Sequence, residues 1–160
     1  MDTLDTLDTL GTYLTDDHQR CDALLRSTQK GVGAARWADA RRAMGVFQYA
    51  LERHLLIEER ILFPAFEAAL GHTTSPTVLL RAEHLRIRAA AQRLTDAVDA
   101  LSAQDFMKHA ETFLLTMHLH SEKEEGVLYP MIERVLGRRC PALLDDARAF
   151  GAWDILANAV

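Results

Sequence analysis

Apolar residues recur at three- and four-residue spacings along most of the chain, which is the periodicity of amphipathic α-helices. Sustained alternation of apolar and polar residues is absent, and no Asn-Gly or Asp-Gly pair marks a hairpin turn. The pattern therefore predicts an all-α protein.

Glycines and capping residues divide this pattern into long helices. The first is predicted at about 12–31, where Gly31 and Gly33 end it, and the second at about 37–70, before Gly71.

The third helix is predicted at about 76–101, since Ser75 is a good N-cap and proline suits the first helical position. Ser102 caps the fourth, which ends near residue 136, and a short helix follows Pro141. Four long helices with short connections favour an antiparallel up-down four-helix bundle, with the short C-terminal helix covering one end.

The chain is predicted to form one domain, because 160 residues suffice for a single packed core. Residues 12–136 are assigned to the bundle and 137–160 to a C-terminal extension that packs on it. Residues 1–11, which contain the triplet Asp-Thr-Leu repeated in tandem, are predicted to form a disordered N-terminal arm.

Charge and hydropathy argue against two classes of partner, nucleic acids and membranes. The net charge is −5 without any Lys/Arg-rich block, which argues against nucleic acid. No apolar run is long enough to span a bilayer and the N-terminus does not resemble a signal peptide, so we expect a cytoplasmic protein with no membrane partner. Cys21 and Cys140 lie outside any CxxC pattern and are expected to be small core or surface residues.

An internal duplication appears when the sequence is shifted by 66 residues. Segments 54–64 and 120–130 then share a histidine, two glutamates, a leucine, an aromatic residue and a proline. The same shift places Asp-His at 17–18 on Glu-His at 83–84, and 36 residues separate the two histidines within each half. A repeated helix pair predicts a bundle with an approximate two-fold axis.

Each half contains a His-x-x-x-Glu pair whose members lie on one face of a helix, because residues i and i+4 are neighbours there. Apolar residues extend both faces, which predicts that the pairs point into the core. These residues are Phe47, Leu51, Ile61 and Ala65 on the second helix, and Phe113, Met117, Val127 and Met131 on the fourth.

Buried carboxylates and imidazoles at this density need a cationic partner, because an unpaired buried charge costs several kcal/mol. Imidazole and carboxylate together suit iron, manganese or zinc, and a carboxylate can bridge two ions. The sequence therefore predicts a two-metal centre with the ligands His18, His54, Glu58, His84, His120 and Glu124.

Other polar residues near these positions have competing interpretations. His118 and Glu122 form a second His-x-x-x-Glu pair, but His118 lies about 160° around the helix from His120 and is assigned to the surface. Glu59 and Glu125 suit interhelical salt bridges, or alternatively hydrogen bonds that support a ligand histidine.

The remaining aromatic and histidine residues are given structural roles. Phe63-Pro64 and Tyr129-Pro130 are expected to cap the core and bend their helices rather than to touch the ligand. The other residues considered are His109, expected in packing or at the surface, His72, expected in solvent, and Trp37 and Trp153, expected to pack.

The double H-x-x-x-E-E-x-x-L-[FY]-P signature, with a histidine preceding each copy, resembles the hemerythrin-like, or HHE cation-binding, domain family across residues 12–136. The resemblance implies that His18 and His54 bind one iron and that His84 and His120 bind the other. It also implies that the two glutamates bridge the ions together with a solvent-derived oxo or hydroxo group.

One position departs from the oxygen-carrying members of the family, which have a fifth histidine where this chain has Arg88. The chain is instead similar to the symmetric H-HxxxE-H-HxxxE subgroup found in some bacteria. Two histidines per iron argue against reversible oxygen carriage and favour peroxide or nitric oxide as ligands.

The resemblance implies a non-haem di-iron protein that binds O2, NO or H2O2 in sensing or stress response. The alternatives are a redox enzyme that acts on peroxide or nitric oxide, and a protein of iron storage or iron–sulfur cluster repair. Zinc or manganese are possible substitutes for iron.

Overall fold

Four long helical rods form the chain in this computed structural model, which describes residues 8–72 and 75–151. The first rod is α1 (Leu10–Gly33) and the third is α4 (Ser75–Asp99). The second rod joins α2 (Trp37–Ile57), a π-helical turn π1 (Glu58–Leu62) and α3 (Phe63–Leu70), and the fourth joins α5 (Ala103–Lys123), π2 (Glu124–Leu128) and α6 (Tyr129–Leu136). A 3₁₀ turn at Gly137–Arg139 leads into α7 (Cys140–Ala149). The all-α prediction is confirmed.

Local sequence signals explain most helix ends. Thr9 caps α1 through a capping box with Thr12. The helix begins at the buried Leu10, two residues before the expected start. Gly71 ends the second rod in a left-handed conformation, with φ of 77°, and the Ser102 hydroxyl accepts from a backbone N–H of α5. Most of the Asp-Thr-Leu repeat lies outside the described residues.

The rods form a closed antiparallel bundle, because α1 packs on α2, α2 on α4, α4 on α5 and α5 on α1. The predicted antiparallel four-helix bundle with a short C-terminal helix is therefore confirmed. Helix α7 closes one end with Leu143, Leu144 and Ala147. Arg53 of α2 holds the C-terminal end of α7 in place by donating to the carbonyl oxygens of Ala147 and Phe150, at 2.8 and 2.9 Å.

A layer of buried polar residues divides the core into two apolar clusters. The first surrounds Phe47 and Phe113, whose rings meet edge to face, and the second surrounds Phe63 and Phe66 and includes α7. Each rod passes from one cluster to the other through the polar layer. In α1, for example, Leu14 belongs to the second cluster and Leu25 to the first.

The two π turns change which residues face the core. Val127 was expected to be buried, but it is 57% exposed, and Leu128 is buried instead. Ile61 is likewise only half-buried, whereas the following Leu62 is fully buried. A π turn adds one residue to the helical turn, so the apolar face moves on by one position. The expectation was wrong because it assumed a constant α-helical period.

Residues with expected packing roles are placed as follows. Trp37 packs against the first cluster, while Trp153 lies outside the described residues. Cys21 is buried and Cys140 half-buried, and both are free thiols. His72 is exposed.

Within the described part of the chain, no helix combines the length and apolarity needed to cross a membrane.

Candidate metal centre

All six predicted ligands lie in the polar layer. Four have fully buried side chains, His120 is 1% exposed and His18 is 6% exposed. Their ligand atoms form two overlapping groups, and within each group the atoms lie within 4.8 Å of one another. The groups are His18, His54, Glu58 and Glu124, and Glu58, His84, His120 and Glu124.

The two glutamates lie between the pairs of histidines. Glu58 Oε1 is 3.6 Å from His54 Nε2, and its Oε2 is 3.2 Å from His84 Nε2. Glu124 Oε1 is 3.2 Å from His18 Nε2 and 3.0 Å from His120 Nε2. Each carboxylate therefore faces one imidazole of either group, which is the position of a bridging ligand.

Five buried polar atoms of this layer have no hydrogen-bond partner within the described residues. They are Nε2 of His54, His84 and His120, and Oε2 of Glu58 and Glu124. An unsatisfied buried polar group costs about 1–3 kcal/mol, so five in one layer indicate a missing partner. All five are lone-pair donors when imidazole Nε2 is unprotonated, and the nitrogen and oxygen set fits iron, manganese or zinc.

Each histidine directs its other ring nitrogen, Nδ1, at a carboxylate outside the centre. The pairs are His18 with Glu125 at 2.7 Å, His54 with Asp17 at 3.4 Å, His84 with Glu59 at 2.8 Å, and His120 with Glu83 at 2.9 Å. Donation from Nδ1–H to these carboxylates leaves the Nε2 lone pair for a metal and fixes the orientation of the ring.

The sequence suggested this supporting role for two of the four carboxylates, as an alternative to an interhelical salt bridge. It did not suggest the role for the other two. Glu59 and Glu125 support His84 and His18, and Glu59 also pairs with Arg88. Asp17 and Glu83 were overlooked, although the 66-residue shift aligns them and places an acid directly before a histidine in each half.

Cations hold three of the four supporting carboxylates. Arg88 contacts Glu59 at 2.8 Å and also pairs with Glu52, Lys123 pairs with Glu83, and Arg20 contacts Asp17 at 2.6 Å. Burial alone would raise the pKa of these carboxyls, but their cation and histidine partners outweigh burial and lower it. For the fourth, Glu125, no lysine or arginine lies within ion-pair distance in the described part of the chain.

Electrostatics inside the centre favour cations. Burial opposes protonation of His18 and His120, yet the interaction with Glu124 raises the pKa of each to about 9. Burial likewise opposes ionisation of Glu124, but the two imidazoles hold the pKa of that carboxyl well below its usual range. The metal-free centre therefore takes up protons where a metal ion would supply positive charge.

Tyr129 enters the centre, contrary to the expectation that it only caps the core. Its hydroxyl donates to Glu58 Oε1 at 2.6 Å and lies 3.4 Å from both Glu124 Oε1 and His18 Nε2. The backbone N–H of Tyr129 closes the π turn on the Glu124 carbonyl, which brings the ring back to the centre. Burial and the two carboxylates raise the pKa of the phenol well above its usual range.

The counterpart of Tyr129 in the first half is Phe63, whose ring stacks on His84 with 5.8 Å between centroids. The alternative pair, His118 and Glu122, lies on the surface as predicted, with Nε2 and Oε1 3.3 Å apart. His109 is half-buried.

Comparison with known proteins gave one family. The model described as Hemerythrin HHE cation binding domain matches residues 9–132, and a second match covers residues 75–150. The second match coincides with the second half of the internal duplication. Searches of curated proteins and of solved structures returned no significant match.

Proposed function

The chain belongs to the hemerythrin HHE cation-binding family, and from that premise we propose that it is a non-haem di-iron protein that binds O2, NO or peroxide. The observation that carries the proposal is the set of five buried ligand atoms that make no hydrogen bond within the described residues, in two groups that share both glutamates. In this proposal His18 and His54 would hold one ion, His84 and His120 would hold the other, and Glu58 and Glu124 would be shared by both.

Iron suits the site because imidazole and carboxylate stabilise both its ferrous and ferric states. A bound iron pair with an oxo or hydroxo bridge would supply redox chemistry and open positions for a small ligand. Six protein ligands over two ions leave such positions at both. We place the chain in the symmetric subgroup, since Arg88 pairs with Glu52 and Glu59 and provides no fifth imidazole.

The residues around the centre orient the ligands and control protons. The four Nδ1 contacts fix the imidazole rings, and apolar clusters pack on both sides of the polar layer. Tyr129 holds Glu58 through its hydroxyl and retains its proton, because its pKa is raised. A sensor or binding protein in gas or stress response is the function that this arrangement supports best.

A second candidate is an enzyme that turns over peroxide or nitric oxide. Tyr129 favours it, because its protonated hydroxyl lies beside the ligand residues and could supply a proton in such a reaction. Repeated turnover in the presence of a reductant would favour the enzyme, whereas a stable spectrum of the ligand-bound protein would favour the sensor.

Metal content and the visible spectrum of anaerobically iron-loaded protein test the proposal. We expect two irons per chain and oxo-bridge absorption, with spectral changes on adding O2, H2O2 or NO. Glu58→Gln should lose the iron pair, whereas His118→Ala, at an exposed histidine of the same helical spacing, should keep it. Absence of iron after anaerobic loading, with normal helicity, would refute the proposal.

A further inference from the structure

Two clefts flank α5, and each ends on one of the histidines of the centre. The first, about 510 Å³, lies between α1 and α5 and reaches His18. The second, about 350 Å³, lies between α4 and α5 and reaches His120. Both are open to solvent, so each connects the surface with the polar layer.

The clefts carry opposite charge. Three carboxylates line the first, together with His118 and without any lysine or arginine: Asp22, Glu122 and Glu125. Three cations and one carboxylate line the second: Arg86, Arg93, Lys123 and Glu83. A cleft lined by one sign of charge raises the local concentration of ions of the opposite sign, so the first attracts cations and the second repels them.

The internal duplication explains why the first cleft is acidic. The 66-residue shift places Asp22 on Arg88, the residue that clamps Glu59 behind His84. At the His18 side the clamping cation is thus replaced by a carboxylate, and the supporting Glu125 has a side chain that is 38% exposed. The Glu59 side chain is 20% exposed.

His18 is also the most exposed of the six side chains in the centre, and its ring lines the first cleft. Its supporting contact, to Glu125, is the one of the four in which no lysine or arginine pairs with the carboxylate, among the described residues. Of the four supporting contacts, the one to His18 is therefore the least constrained by charge.

We propose that divalent metal ions enter and leave the centre through the acidic cleft between α1 and α5, with His18 as the ligand that opens. The inference rests on the proposed function, since it assumes that the centre holds metal. Asp22 steers the incoming cation, and its side chain replaces the clamp that would otherwise immobilise Glu125 and His18.

The test is the rate of Co²⁺ uptake by metal-free protein, followed by stopped-flow absorbance at low ionic strength. Asp22→Arg restores the clamp and removes the attraction, so we expect the uptake rate to fall about tenfold. Asp146→Arg changes the net charge equally at an exposed position of α7 and should change the rate less than about twofold. Equal effects of the two variants would overturn the route.

A steric variant separates the route from general electrostatics. Gln19 is exposed and lines the acidic cleft, so Gln19→Trp should slow Co²⁺ uptake several-fold and leave the final amount of bound Co²⁺ unchanged. Gln104→Trp, exposed at the start of α5, should leave both unchanged. An unaltered rate in Gln19→Trp would overturn the route, whereas failure of the unmodified chain to bind Co²⁺ would refute the proposed function itself.

Discussion

Replacing Tyr129 by phenylalanine removes one oxygen from the centre and tests whether the phenol supports Glu58. The hydroxyl donates to a fully buried carboxylate at 2.6 Å, so the substitution deletes a charge-assisted hydrogen bond. The ring itself should still fit, because Phe63 occupies the equivalent position beside His84.

The expected loss follows from the contacts that remain. Hydrogen bonds to charged groups contribute about 1.5–3 kcal/mol, and after the change the nearest imidazole contact of Glu58 Oε1 among the described residues is His54 Nε2, at 3.6 Å. We therefore expect the free energy of unfolding of the metal-free protein to fall by about 2 kcal/mol. For a chain of this length that is a decrease in Tm of about 4–8 °C.

Urea unfolding of the metal-free protein, followed by circular dichroism, measures this loss. Tyr49→Phe is the matched control, because the Tyr49 hydroxyl makes one long hydrogen bond, 3.4 Å, to the Gly151 carbonyl, and its loss should cost less than about 1 kcal/mol. If Tyr129→Phe costs no more than the control, Tyr129 does not support Glu58.

Three further predictions concern the packing of the bundle, the pH dependence of its stability and the affinity of the centre for metal. Gly31→Ala should destabilise the fold by about 1–3 kcal/mol, because its Cβ would come within 3.0 Å of the backbone of α2, whereas Gly45→Ala meets nothing and should stabilise; urea unfolding would contradict this if the order were reversed. The metal-free protein should lose stability as pH rises from about 6.5 through about 9, because the two imidazoles with raised pKa lose the protons that the fold stabilises; stability that rises over this interval in urea unfolding would be the opposite result. Arg88→Met should weaken the binding of one of the two ions about tenfold in a chelator competition, since it frees the carboxylate behind His84, and equal weakening of both ions would contradict that reasoning.

The duplication made the bundle and the grouping of the six polar side chains predictable from sequence. Helical spacing places His54 beside Glu58, and the common shift of 66 residues relates that pair to His120 and Glu124. Two matched copies in a two-fold bundle must meet near its axis. The sequence could therefore exclude His118, whose angular position breaks the match, and the exposed side chain agrees.

The π turns were not predicted, because the prediction assumed that the α-helical period continues unchanged past Glu58 and Glu124. That extrapolation placed Val127 in the core, and Tyr129 was expected only to cap the core, whereas its hydroxyl reaches Glu58. The supporting carboxylates were hard to identify for a different reason. Glu59 contacts both His84 and Arg88, so its role depends on packing between helices that no spacing within one helix specifies.

The two halves of the centre differ most in the residues that surround His18 and its counterpart His84. At His84 the neighbours are Phe63 and the Glu59–Arg88 pair, which are apolar or fixed by charge. The counterparts at His18 are the Tyr129 hydroxyl, the exposed Glu125 and the acidic Asp22. A proton donor, a supporting carboxylate that no lysine or arginine pairs with and an acidic cleft thus coincide at His18, whereas the cleft that reaches His120 is lined mostly by cations. On the proposed entry route, cations would exchange at the His18 side, so duplicated ligands need not give two equivalent sites.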